Sequence, residues 1–406
     1  MPVTIDDIRR AHERIRAHIY RSPCPHSLLL SRLTGVQVYC KLDNLQVTGS
    51  FKERGARNRL ELLDAPARAR GVIAVSAGNH ALGLAYHGRC LEIPVTVVMP
   101  RWAPLVKVST CMSFGADVRL HGETFAQARD EALAIARERE LTFIPPYDDP
   151  DIINGQGTIG IELIEDLPQL DCVIVPVGGG GLISGIATAI KALKPSVQVI
   201  GVEAVNAPTM HAAMAAGRPE PITAKPTLAD GLAVARAGDL PFAIVREVVD
   251  RFVLVDEGRI AQAILRLLEL EKLVVEGAGA VPLAALLSQD LGLAGKHVAL
   301  VLAGGNIDVS MIARVIERGL AADGRLCKIA ARISDRPGGL ARLVEVVAAA
   351  GASIKEVHHD RNFAPADVAL VGVTLVLETR NAEHIDAVRQ AIRAAGIDAS
   401  EQTASC

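Results

Sequence analysis

The chain of 406 residues has few aromatic side chains, only 3% of the total. Nucleic-acid bases would find few platforms on which to stack. Charge of one sign is not in excess either: 43 Lys and Arg face 46 Asp and Glu, a net charge of −3. Such a balance points to no polyanion, so no nucleic-acid partner is expected. No run of 18 uncharged apolar residues occurs, and no membrane span is expected. The opening stretch MPVTIDDIRRAHERIRAHI reads as a charged amphipathic helix without the apolar centre of a secretory signal. Cysteines are odd in number and scattered (Cys24, Cys40, Cys90, Cys111, Cys172, Cys327, Cys406), with no C-x-x-C pair. Reduced thiols in a cytoplasmic protein suit that pattern better than a disulfide framework or a zinc site. The histidines show no H-E-x-x-H or comparable spacing, and no metal is expected.

What is present is rhythm. VIAVSA near Val72, VTVVMP at Val95 and DVRLHG at Asp117 are β-branched runs separated by helix-like segments. CVIVPV from Cys172, VQVIGVEAV from Val197, FVLVD from Phe252 and HVALVLAGGN from His297 form a second series. Strands alternating with helices predict α/β architecture, and near-continuous apolar runs predict parallel sheets covered on both faces. A catalytic unit over residues 1–320 follows, with a smaller lobe inserted at roughly 45–147 and a ligand cleft between two sheet-forming groups. GLAADGRL, after Arg318, reads as a linker. Beyond it, residues 326–406 predict a βαββαβ unit: a strand from Cys327, the turn DRPGG into a helix, strands at Ser353–Asp360 and Val368–Leu377, a helix from Asn381, and GIDAS as an edge strand.

Four segments could carry chemistry. Lys52, in TGSFKERGA, stands at a helix start, where a lysine is commonly a solvated surface group. Burial there would lower its pKa and give a neutral amine able to attack an aldehyde. SAGNHALG follows a strand, so Ser76, Asn79 and His80 stand at a strand-to-helix turn. An N-cap and a carboxylate site fit that turn equally well. GGGGL lies between CVIVPV and the helix LISGIATAIKAL. Gly178, Gly179, Gly180 and Gly181 can turn their N–H groups onto a phosphate at the helix start. Neither the G-K-[ST] ending of a nucleotide loop nor a plain G-x-G-x-x-G fingerprint is present, which favours a phosphorylated cofactor. AGGN, at Ala303–Asn306, is a further glycine turn at a strand's carboxyl end.

In order, TGSFKERGA, SAGNHA, GQGTIG, VGGGGLISG, ADGLAV, EGAGA and LAGGN resemble the serine/threonine dehydratases, and SDRPGGL resembles the start of an ACT regulatory domain. The resemblance implies pyridoxal phosphate as cofactor and its fold type II, two parallel-sheet lobes, followed by the ACT unit. Lys52 would be the lysine joined to the cofactor, with Phe51 packed on the pyridine ring and Asn79 on the ring hydroxyl. Gly178–Gly181 would hold the phosphate, and Gly231 would lie against the cofactor through its backbone. Ser76, Asn79 and His80 would surround the substrate carboxylate. The implied reaction is loss of water from L-threonine, and from L-serine, to give 2-oxobutanoate or pyruvate with ammonia. Lys52 would take the Cα proton, and either Lys52 or the phosphate would protonate the departing hydroxyl.

Three positions depart from relatives of this kind. Ala303 stands where the family commonly has Ser or Cys facing the pyridine nitrogen. Ala77 replaces the second serine that serves related racemases as a base, which disfavours racemisation. Glu203, Ala207 and Thr209 lack one carboxylate of the racemases' divalent-metal pattern. Arg336, Gly338 and Gly339 are the expected effector residues, with isoleucine, valine or another amino acid as effector. The resemblance also implies a homodimer or homotetramer. Competing readings are a lyase for another 3-hydroxy amino acid, such as a 3-hydroxyaspartate, and a catalytically silent amino-acid sensor.

Overall fold

Uncharged β-branched runs become strands enclosed on both faces. A computed structural model, which describes residues 3–360 and 369–401, buries every residue of Val72–Val75, Val95–Met99 and Cys172–Pro176. Two sheets result in residues 1–308. The larger has six strands in the order His26–Ser27, Gln37–Lys41, His297–Val301, Cys172–Pro176, Gln198–Ala204, Arg251–Val255. All its pairings are parallel except that of His26–Ser27 at the edge. The smaller has four parallel strands, ordered Asp117–Leu120, Val95–Met99, Val72–Val75, Thr142–Phe143. Parallel strands need crossover helices, and these supply the cover.

The first helix, Ile5–Ile15, starts at a capping box: Thr4 Oγ1 accepts the Asp7 N–H while the Asp7 carboxylate accepts the Thr4 N–H. Its apolar face, Ile8, Ala11 and Ile15, is buried. Helix Pro150–Asp166 is opened by Asp149, whose Oδ1 accepts the N–H groups of Asp151 and Ile152 at 2.8 and 3.1 Å. The GQGTIG segment lies within this helix and is explained by packing. A Cβ on Gly185 of the neighbouring helix Gly181–Leu193 would stand 2.5 Å from the backbone nitrogen of Gly157 and 2.8 Å from its Cα. The two backbones touch because neither residue has a side chain.

Residues 309–406 form a second compact unit. Its strands run in the order Ser353–Asp360, Leu370–Glu378, Leu326–Ser334, Asp398–Glu401, all antiparallel. Helices Gly339–Ala349 and Ala382–Ala394 complete βαββαβ. Strand Leu370–Glu378 alternates part-buried and buried residues up to Leu377, as a sheet with one covered face requires. The expected linker is shorter than its composition suggested. Helix Val309–Ala322 runs through Gly319, so only residues 323–325 precede the strand. Leu320, Ala321 and Ala322 are good helix formers, and one interior glycine costs only about 1 kcal/mol. Val368, the expected start of the third strand, and Cys406 lie outside the described residues. Among the described residues no helix is long and apolar enough to cross a membrane.

Gly185→Ala tests the helix contact. The added methyl should push the two helices apart and lower stability by about 1–3 kcal/mol, read from urea unfolding. An unchanged midpoint would show that the backbones do not meet there.

Candidate active site

Lys52 begins helix Lys52–Glu61, directly after a turn held by the main chain. Phe51 N–H donates to the Ala303 carbonyl at 3.0 Å, Gly305 N–H donates to the Gly49 carbonyl at 2.9 Å, and Ser50 bridges Gly304. Behind the lysine lies a buried ion network. Arg54 donates to Asp43 at 2.7 and 3.0 Å and to Glu162 at 2.6 and 3.0 Å. Lys41 Nζ lies 2.6 Å from Glu162 and donates to the Ser22 carbonyl at 2.6 Å. Lys52 itself has no such carboxylate. Its Nζ donates to the Pro146 carbonyl at 2.7 Å and lies 5.2 Å from the centre of the Phe51 ring. Burial lowers its pKa from 10.5 to about 8, against a smaller opposing pull from Glu276.

The residue after Pro146 reaches the glycine loop. A Cβ on Gly179 would stand 2.5 Å from ring atoms of Tyr147, and one on Gly181 would stand 2.9 Å from Tyr147 Cβ. Gly180 has φ +95°, a conformation that glycine adopts without strain. The N–H groups of Gly178, Gly179, Gly180 and Gly181 meet no acceptor among the described residues. Consecutive free donors at a helix start, walled by residues that admit no Cβ, form a cradle for an anion such as phosphate.

The wall continues from that loop. A Cβ on Gly178 would stand 3.1 Å from Leu232 Cα, in the 3₁₀ turn Asp230–Leu232. One on Gly231 would stand 3.6 Å from the Glu276 carboxylate. Glu276 Oε1 accepts from Asn79 Nδ2 at 2.8 Å, and Asn79 Oδ1 accepts from Asn306 Nδ2 at 2.9 Å. Asn306 Nδ2 also donates to the Thr48 carbonyl at 2.7 Å, which returns the wall to the lysine turn. Burial, followed by the charge of Asp230, pushes the Glu276 carboxyl up to about 7. Across the cleft, Lys107 of helix Leu105–Ser113 pairs with Asp230 at 3.4 Å.

The expected residues Phe51, Lys52, Asn79, Gly178–Gly181, Gly231 and Ala303 thus stand along one wall. Ser76 follows strand Val72–Val75 and its Oγ accepts the Gly78 N–H at 3.1 Å. His80 is turned inward: Nε2 lies 3.1 Å from the Ile144 carbonyl, and burial together with Lys52 pulls its pKa down to about 3. Its ring is therefore neutral, and only its N–H at the start of helix Asn79–Cys90 can meet a carboxylate. Glu203 accepts the N–H groups of Met210 and His211 at 2.7 and 2.8 Å, capping helix Thr209–Ala216. In the second unit, Arg336 and Gly338 line a hollow of about 250 Å³ with His359. Gly339 stands beneath it, where a Cβ would collide with the Ser334 carbonyl.

Residues 15–304 match the family of pyridoxal-phosphate-dependent enzymes. The chain belongs to that family. It is 46% identical over 396 residues to an L-threonine ammonia-lyase of Thermotoga maritima, with 98% of each chain covered. The solved threonine deaminase isoform 2 of Solanum lycopersicum is 36% identical, with a TM-score of 0.73, and the match covers 77% of this chain and 93% of that one. A serine racemase from Dictyostelium discoideum is 34% identical with a TM-score of 0.72, covering 76% of this chain and all of that one. The cofactor is pyridoxal phosphate, on fold type II, and the residues fit it: a lysine amine whose pKa burial lowers to about 8, and four adjacent N–H donors without acceptors among the described residues.

Sequence reasoning assigned no role to Glu276 or Asn306, although both stood in quoted motifs. Glu276 is the only charged residue in the stretch LVVEGAGAVPLAALLSQ, and a lone acid among so many apolar residues is a signal for a buried site.

Above pH 8 rather than 10.5 the Lys52 amine is free to react. The rate at which cofactor-free protein takes up pyridoxal phosphate, followed by visible absorbance, should rise with pH and level off above about 8. The unfolded lysine keeps its proton to higher pH, so the cofactor-free fold should gain stability between those two values. An uptake rate that climbs all the way to 10.5 would contradict an enclosed amine.

Proposed function

We propose that the chain is an L-threonine ammonia-lyase that forms 2-oxobutanoate and ammonia and also converts L-serine to pyruvate. The observation that carries this is the 46% identity to an L-threonine ammonia-lyase across 98% of both chains, second unit included. Lys52 would hold the cofactor aldehyde and Gly178–Gly181 its phosphate. Phe51 would pack on the ring, Asn79 would bond the ring hydroxyl, and the backbone of Gly231 would lie alongside. Ala303 would present only a methyl group near the ring nitrogen. Ser76, Asn79 and the N–H of His80 would hold the substrate carboxylate.

Pyridoxal phosphate, when bound, supplies the electron sink that lets Cα release a proton. Lys52 does the proton work. Displaced by the substrate amine, its Nζ, whose pKa burial lowers to about 8, reaches its free-amine form far more readily than an ordinary lysine and takes the Cα proton. Hydroxide leaves poorly, and the ammonium formed on Lys52 returns that proton to the β-hydroxyl as the C–O bond breaks. Loss of water leaves an enamine, which on release hydrolyses to the 2-oxo acid and ammonia. The Pro146 carbonyl can only accept and the His80 ring is uncharged, so neither would serve as the acid in place of Lys52.

We read residues 326–406 as an ACT regulatory domain, with the hollow at Arg336, Gly338 and His359 taking an amino-acid effector whose carboxylate meets the turn before helix Gly339–Ala349. A homodimer or homotetramer would cover the exposed Leu29 and Leu33, one turn apart on helix Leu28–Thr34. The cytoplasm suits its thiols.

Lys52→Ala should abolish the visible band of the bound cofactor and lower 2-oxobutanoate formation at least a thousandfold, roughly the share of a general base together with its covalent role. Product assays on L-threonine, L-serine, 3-hydroxyaspartate and D-serine identify the substrate. A cofactor-loaded protein that makes no 2-oxobutanoate from L-threonine overturns the proposal.

A further inference from the structure

Asn79 carries an amide, whose two ends differ in polarity but hardly in shape. Which end faces the cofactor decides whether the ring oxygen meets a donor or an acceptor. The chain of contacts around Asn79 settles this, because it starts from a group that can only accept. At one end is the Thr48 carbonyl, which can only accept, so the Asn306 group beside it at 2.7 Å is the NH₂. That same nitrogen donates to Asn79 Oδ1 at 2.9 Å. At the other end Asn79 Nδ2 donates to Glu276 Oε1 at 2.8 Å, and the same carboxyl takes the Asn306 main-chain N–H, so it serves as an acceptor here. Turning the Asn79 amide over would set its NH₂ against that of Asn306, whose own orientation Thr48 fixes, and that bond would be lost whether or not Glu276 carries a proton.

Packing prevents escape from this choice. A Cβ on Gly304 would collide with Glu276 Oε1 and stand 3.3 Å from Asn79 Nδ2. One on Gly49 would stand 2.9 Å from Asn306 Cγ. Glu276 is itself fixed by its main chain, whose N–H donates to the Gly304 carbonyl at 3.0 Å. The amides therefore lie between two backbones that carry no side chains.

We infer that Glu276 and Asn306 are positioning residues that lock the Asn79 amide, leaving one N–H of its Nδ2 as the only group it can offer the cofactor ring oxygen. This rests on the reading of Asn79 given above. An NH₂ has two hydrogens: one is taken by Glu276, and the other is uncommitted. A donor fixed there favours the ionised ring oxygen, because a hydrogen bond to a charged acceptor is roughly twice as strong as one to a neutral group. Neither Glu276 nor Asn306 needs to touch the cofactor to exert this preference.

The test measures the dissociation constant of pyridoxal phosphate and the visible absorption band of the loaded protein. The variants are Glu276→Leu, Glu276→Gln and Asn306→Asp, each alone and combined with Asn79→Ala. Glu276→Leu and Asn306→Asp should each weaken cofactor binding about tenfold, the equivalent of one buried hydrogen bond. Both should also move the band to shorter wavelength, toward the un-ionised ring hydroxyl. Glu276→Gln keeps an acceptor for Asn79 and should stay within about threefold of the parent. On the Asn79→Ala background, either substitution should add less than about twofold, since its route of action is gone. Asn306→Asp preserves size and decides the matter should Glu276→Leu not fold. Equal losses with and without Asn79, or an unmoved band in both single variants, overturn the inference. Wild-type protein that takes up pyridoxal phosphate yet leaves L-threonine unchanged sinks the lyase reading alone; wild-type protein that takes up none sinks both.

Discussion

Two cations two residues apart on one helix show what the site depends on. Arg54 and Lys52 are both drawn out of water, but only Arg54 is met by carboxylates, Asp43 and Glu162, at hydrogen-bond distance. Their charges push its pKa up although burial alone would lower it. Lys52 finds a main-chain carbonyl at that range, a weaker partner, and burial prevails. The same desolvation is thus overridden by carboxylates in one place and loosens the hold on a proton in the other. The network behind the lysine also keeps the helix start rigid, because removing one member of a buried ion pair strands its partner at about 3–5 kcal/mol.

The enclosure is built almost entirely from backbone. Gly49, Ser50 and Phe51 are stitched to Ala303–Gly305, the Pro146 carbonyl takes the lysine, and Gly178–Gly181 face Tyr147 and Leu232. Substitutions at Cα would fill such a wall, which is why the segments that form it are so rich in glycine. Helix packing depends on the same property at Gly157 and Gly185, away from the chemistry.

Much of this was legible beforehand. The apolar runs became the strands of two parallel sheets, since a strand covered on both faces must be apolar throughout. Lys52 and the four-glycine bend could be picked out because their local patterns are unusual. What stayed hidden was long-range. Nothing near Lys52 in sequence announces Pro146, and nothing near Asn79 announces Glu276, which lies 197 residues away. His80 was expected beside a substrate carboxylate, and the periodicity of its helix could not reveal that its ring points at Ile144. The helix Val309–Ala322 ran past its expected end because a single glycine is a weak breaker when alanine and leucine follow.

The ion pair between Lys107 and Asp230 is of another kind from those beneath the lysine. Asp230 is largely exposed, its side chain 65% open to solvent, and such pairs hold with about 0–1 kcal/mol and fade with ionic strength. The contact between helix Leu105–Ser113 and the turn Asp230–Leu232 is therefore held by a clasp no stronger than thermal agitation can undo. Salt should loosen that contact while leaving the buried network around Arg54 in place.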